Sequence, residues 1–147
     1  MPASKKAAKT TSPKRPSGPD EISPGVFVGT WKDALTFQGA RFCVLDSLPD
    51  DMPPAQHIPI YDRSEDVAIR ENLDRLAKAI RTAHEDGRPV LVFCRFGIQR
   101  APLGGAWYLH RVEGLSLDEA YDRVRSVRPR IEHAKDWIGN ASELASE

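Results

Sequence analysis

Four apolar residues in a row, Val90-Leu91-Val92-Phe93, constrain the fold of this chain more than any other feature. A run with no polar residue has no side for solvent, so it fits a strand buried on both faces, as in the centre of a parallel sheet. Such a strand needs helices to cover it, and the flanking sequence supplies them. Residues 66 to 84 carry Leu73, Leu76, Ala77, Ile80 and Ala83 at spacings of three and four, the stripe of an amphipathic helix, with Gly87 as its stop. Beyond the strand, Leu103 to Val112 is apolar and contains Gly104, Gly105 and Ala106, small residues that let a helix lie close to the core. A helix on each side of a buried strand is a βαβ layout. It predicts an α/β fold with a twisted, largely parallel sheet flanked by helices.

The rest of the chain fits one such domain. Val26-Phe27-Val28 closed by Gly29, Phe42 to Leu45, and Ile58-Pro59-Ile60 read as further strands, the last at an edge or a strand end because proline cannot donate to a ladder. Ser116 with Glu119 makes a capping box before Leu117, Ala120, Tyr121 and Val124. Arg128-Pro129 stops that helix, and a last one is expected over His133 to Ala141 around Trp137 and Ile138. With 147 residues there is room for a single core.

Charge divides the chain in two. There are 21 basic and 21 acidic residues, but Lys5, Lys6, Lys9, Lys14 and Arg15 against Asp20 give the first 20 residues a charge of +4 and leave the remainder at −4. Residues 1 to 20 hold no aromatic and no large aliphatic residue after Met1, so they are expected to be a disordered basic tail ahead of a domain at 21 to 147. The tail lacks the apolar core of a secretory signal. An acidic body does not suit nucleic acid, and no apolar stretch approaches the roughly 20 residues of a membrane span. Cys43 and Cys94 are far apart and form no metal-ligand or disulfide pattern. No metal or cofactor is expected, and the protein is read as a cytoplasmic monomer.

The chemistry lies between the buried strand and the glycine-rich helix, in Cys94-Arg95-Phe96-Gly97-Ile98-Gln99-Arg100. A strand-to-helix turn at the carboxyl end of a parallel sheet is where ligands bind. A loop of this length can turn successive backbone N–H groups inward while the helix adds its positive end, which makes a cradle for an anion. Cys94 at its base is a nucleophile candidate, and Arg100 can fork two donors onto a phosphoryl group.

The Cys-x-x-Gly-x-x-Arg form of this loop resembles the cysteine-dependent protein tyrosine phosphatase superfamily, most of all its small, atypical dual-specificity branch. Ile22-Ser23-Pro24-Gly25-Val26-Phe27-Val28-Gly29 resembles that family's opening strand, and Arg128-Pro129-Arg130-Ile131 its motif after the loop helix. The resemblance implies a phosphomonoester hydrolase with Cys94, Arg100 and a general acid, Asp62, as catalytic residues. Arg95, Phe96, Gly97, Ile98, Gln99 and Arg100 would form the phosphate-binding loop. The substrate implied is a phosphorylated protein or a small phosphomonoester. Asp66 is the nearby alternative to Asp62.

Three positions depart from the family. Phe93 stands where a histidine usually precedes the nucleophile, Ala101 where a serine or threonine follows the loop arginine, and Ala134 where an asparagine braces the loop. Losing the hydroxyl at 101 removes a bond to the departing sulfur worth roughly 1.5 to 3 kcal/mol, so slow turnover is expected. A pseudophosphatase that binds phospho-residues without efficient hydrolysis is the alternative, and a rhodanese-type sulfurtransferase a more remote one. Arg95 reads as either an attractor of acidic substrate or a surface cation. Cys43 reads as a buried small hydrophobe, with oxidative pairing to Cys94 a lesser option, and Trp31, Trp107 and Trp137 as core or rim.

Overall fold

The computed structural model describes residues 18–60, 66–134 and 137. Its elements are β1 (Asp20–Ser23), β2 (Val26–Thr30), α1 (Trp31–Thr36), β3 (Ala40–Cys43), β4 (Gln56–His57), α2 (Asp66–Glu85), β5 (Val90–Cys94), α3 (Arg100–Val112) and α4 (Leu117–Val127). They build one five-stranded sheet in the order β1-β2-β5-β3-β4. As its apolar sequence requires, β5 is central and buried along its whole length. It runs parallel to β2, with Val26 opposite Val90 and Thr30 opposite Cys94, and parallel to β3, with Cys43 opposite Phe93. β3 and β4 are also parallel, and β1 is antiparallel to β2, so the sheet is mixed but largely parallel.

The pleat sends alternate β5 side chains to opposite layers. Val90, Val92 and Cys94 join the large core formed with α2, α3 and α4. Leu91 and Phe93 face the other way, into a small cluster with Ala34 of α1 and Cys43 of β3. The predicted stripe of α2 is buried in full, with Leu73, Leu76 and Ile80 at 0% exposure. α3 presses closest to the sheet. A Cβ on Gly104 would come within 2.7 Å of Leu76 Cδ2, and one on Gly105 within 2.8 Å of Val28 Cγ2. The capping box of α4 forms as read, with Glu119 N donating to Ser116 Oγ at 3.1 Å and Ser116 N to Glu119 Oε1 at 2.9 Å.

Five details differ from the sequence reading, the first being that the strand read over Phe42 to Leu45 runs two residues earlier, at Ala40–Cys43. The strand expected over Ile58–Ile60 pairs two residues earlier, at Gln56–His57, because Pro59 has no N–H for the ladder. Ile58 and Ile60 are still buried, and their amides reach the carbonyls of Cys43 and Val44. The helix expected from His133 is absent at His133 and Ala134, while residues 135, 136 and 138–141 lie outside the described residues. Asp20, assigned to the tail, opens β1, and the tail up to residue 17 also lies outside the described residues. Finally, α1 has no counterpart in the reading. Its six residues are too few for a periodic signal and depend on end contacts: a Thr30–Asp33 capping box at the start, and Arg41 donating to the carbonyls of Ala34 (2.6 Å) and Phe37 (2.5 Å) at the close. Among the described residues no helix is long and apolar enough to cross a membrane.

Candidate active site

β5 ends at Cys94 and α3 begins at Arg100, so Arg95 to Gln99 must turn the chain from the sheet into the helix. Gly97 makes the turn at φ +68, a left-handed conformation that costs an L-residue about 1 kcal/mol or more. The result is convergence on sulfur. The N–H of Gly97, from the loop, and the N–H of Ala101, from the first turn of α3, each donate to Cys94 Sγ at 3.3 Å. Two amides and a helix N-terminus aimed at one atom stabilise negative charge there, whether on the sulfur or on an oxyanion bound beside it.

Cys94 is 5% exposed and forms the floor of a pocket of about 480 Å³. Arg95, Phe96, Ile98, Gln99 and Arg100 supply the loop side of this pocket, while Leu45, Glu132 and Trp137 close the remainder. The Arg100 guanidinium stands at the mouth, its Nη1 3.6 Å from Asp46 Oδ1 and its carbon 5.9 Å from the centre of the Trp137 ring. The structure thus brings Cys94, Arg100 and every expected loop residue together. Asp62 lies outside the described residues, and Asp66 is the first residue of α2.

The dual specificity phosphatase catalytic-domain model matches residues 50–145, which include the whole loop. The chain belongs to the dual-specificity phosphatase family. Its domain is a protein phosphatase domain, a hydrolase fold. It is 39% identical over 63 residues to the tyrosine-protein phosphatase MSG5 of Saccharomyces cerevisiae, covering 43% of this chain but only 13% of that protein. To dual specificity phosphatase 28 of Mus musculus it is 31% identical over 133 residues, covering 83% of this chain and 80% of that protein. Among solved structures, a mouse putative dual specificity phosphatase complexed with zinc tungstate superposes with a TM-score of 0.74 at 27% identity, covering 93% of this chain and 92% of the other.

This family member holds its loop by a device that sequence patterns did not disclose. Arg128, read as a helix stop and as part of the family-like motif after the loop helix but given no role in the site, is a buried cation at 9% exposure. It donates from Nε to Gly97 O at 2.8 Å and from Nη2 to Phe96 O at 3.3 Å, while its Nη1 meets Asp20 Oδ2 at 2.7 Å. A strut therefore runs from β1 to the far side of the phosphate loop. It also explains why residue 97 is glycine, since a Cβ there would lie 2.3 Å from Arg128 Nη2 and 2.9 Å from Gly29 O. A second brace is the Glu132 N–H, which donates to Ile98 O at 2.8 Å.

The departures acquire a physical description. Phe93 points into the α1 layer, away from the pocket, where an aromatic ring adds packing but no hydrogen bond to the loop. Ala101 is fully buried and offers sulfur its amide alone. Ala134 has no side-chain brace to give, and its N–H instead donates to the Tyr121 hydroxyl at 3.1 Å. Burial pushes the titration of that hydroxyl well above the usual tyrosine range. Trp137 is at the pocket rim, whereas Trp107 is fully buried with its Nε1 donating to Asp74 at 2.8 Å. Cys43 is fully buried, packs with Phe93 on the sheet face opposite Cys94, and has its thiol pushed up by burial.

Proposed function

We propose that the protein hydrolyses phosphomonoesters on phosphorylated proteins through a cysteinyl-phosphate. The convergence of the Gly97 and Ala101 amides on Cys94 Sγ carries this reading. Cys94 attacks phosphorus in line, the phosphorus–oxygen ester bond breaks, and Asp62 gives its proton to the departing alcohol or phenol. Arg100 and the loop amides hold the phosphoryl oxygens as charge builds on them. Asp62, now a carboxylate, takes a proton from the water that attacks the thiophosphate, which releases inorganic phosphate and returns the cysteine. Oxyanion binding of this kind is supported by the zinc tungstate complex of the mouse relative, since tungstate is a phosphate-like oxyanion. A thiol nucleophile needs a reducing compartment, which favours the cytoplasm for a chain whose two cysteines are both free.

Turnover of phosphotyrosine and phosphothreonine peptides, with and without vanadate, tests the proposal. Vanadate-sensitive hydrolysis that disappears in Cys94→Ser supports it. Undiminished hydrolysis in Cys94→Ser would sink it, and tight oxyanion binding with neither burst nor turnover would transfer the chain to the pseudophosphatases.

A further inference from the structure

A carboxylate stands beside the arginine that has to receive an anion. Asp46 Oδ1 lies 3.6 Å from Arg100 Nη1, and its position follows from how β3 leaves the sheet. β3 and β5 run side by side, with Cys43 opposite Phe93, so the residues that follow each strand emerge at the same edge. Leu45 lines the catalytic pocket and Asp46 is next to it. The main chain on both sides of Asp46 is tied down. The Leu45 carbonyl is bonded to His57 Nε2 at 2.6 Å, the Ser47 carbonyl accepts from the Cys43 thiol at 3.9 Å, and the Val44 amide reaches Phe93 O at 3.1 Å. The main chain around Asp46 is thus held by contacts that have nothing to do with its charge, while the carboxylate itself is 64% exposed beside Arg100.

The Arg100 side chain is partly buried, at 29% exposure, and its guanidinium carbon also lies 5.9 Å from the centre of the Trp137 ring. Among the described residues the further charges lining this pocket are Arg95 and Glu132, so a dianion entering it meets, among these residues, two cations and, with Asp46, two carboxylates. We infer that Asp46 is a built-in competitor for the phosphoryl group at Arg100, a specificity-setting residue that weakens retention of dianionic oxyanions such as product phosphate. This rests on the phosphatase reading of the pocket. The carboxylate shares the guanidinium and also repels a dianion held by it, within the screening length of about 8 Å at which salt still leaves a measurable Coulomb term.

The test is calorimetric binding of inorganic phosphate, at a pH where it is the dianion, to the full chain and to Asp46→Asn and Asp46→Ser. Asp122→Asn serves as a control, because that exposed carboxylate pairs with Arg125 on α4 and changes net charge equally. Both Asp46 variants should bind phosphate about 3- to 10-fold more tightly at low ionic strength, and the gain should fall below about 2-fold in 1 M salt. A substitution that merely damages the loop cannot tighten binding. Unchanged or weaker binding in both variants would overturn the inference, as would a gain that survives high salt or appears equally in Asp122→Asn. If the parent and the Asp46 variants all fail to bind phosphate, the phosphatase reading itself fails.

Discussion

Arg128→Lys isolates the strut that holds the phosphate loop. The guanidinium spans three acceptors at once: Gly97 O at 2.8 Å, Phe96 O at 3.3 Å and Asp20 Oδ2 at 2.7 Å. Lysine keeps the charge but concentrates its donors on one nitrogen, which cannot reach the β1 carboxylate and both loop carbonyls together. Held by Asp20, it leaves the buried Gly97 carbonyl and the part-buried Phe96 carbonyl without the donors that Arg128 supplies. A charge-assisted bond is worth about 1.5–3 kcal/mol, and the 3.3 Å bond contributes at the low end, so the expected loss of stability is roughly 2–4 kcal/mol. A domain with about 5–15 kcal/mol to lose stays folded, which makes the consequence for the site measurable. Because the displaced peptide carries the Gly97 N–H that faces Cys94, vanadate affinity should fall by about 10-fold or more. Urea unfolding followed by tryptophan fluorescence gives the first quantity, and vanadate inhibition gives the second. Asp20→Asn loses the charge from only one of the three contacts, at a side chain 34% exposed, and should cost roughly 1 kcal/mol. If Arg128→Lys unfolds within about 0.5 kcal/mol of the parent and binds vanadate equally well, the strut does not hold the loop.

Other expected outcomes concern the chemistry itself. Iodoacetamide at neutral pH should label Cys94 well before Cys43, which is fully buried and whose thiol is pushed up by that burial; equal rates, read by mass spectrometry, would contradict the assignment. Asp62→Asn should slow alkyl phosphates by about 100-fold or more and activated aryl phosphates much less, since only poor leaving groups need a proton. A common factor for both in steady-state assays would make Asp62 structural and turn attention to Asp66. Ala101→Ser should raise the steady rate about 10-fold or more and leave the burst unchanged, because a hydroxyl next to the amide that already faces sulfur would stabilise its departure. Rapid-quench traces with no burst in the parent and no gain in the variant would remove dephosphorylation as the slow step.

The sequence by itself determined the elements whose signal is local. The apolar run at 90–93 carried the signature of a doubly covered strand, the stripe from Leu73 to Ala83 that of a core-facing helix, and Ser116 with Glu119 marked a helix start to the residue. The loop was legible for the same reason: Cys94, Gly97 and Arg100 fall within seven consecutive residues between those elements, so their meeting needs no long-range contact. Even the orientation of Phe93 was present in principle, since neighbours on a strand face opposite sides and Cys94 has to face the pocket. What only the tertiary structure decided are the contacts between distant segments. Asp20 and Arg128 are 108 positions apart, and no periodicity or spacing links a residue expected in the tail to one expected to end a helix. Asp46 reaches Arg100 only because β3 and β5 are neighbours in an order the chain does not follow. Short α1 and the pairing of β4 at Gln56–His57 likewise depend on partners elsewhere in the fold. A periodic pattern records which face of an element is buried, but the partner that a buried charge meets is set by packing, and that choice is written in three dimensions.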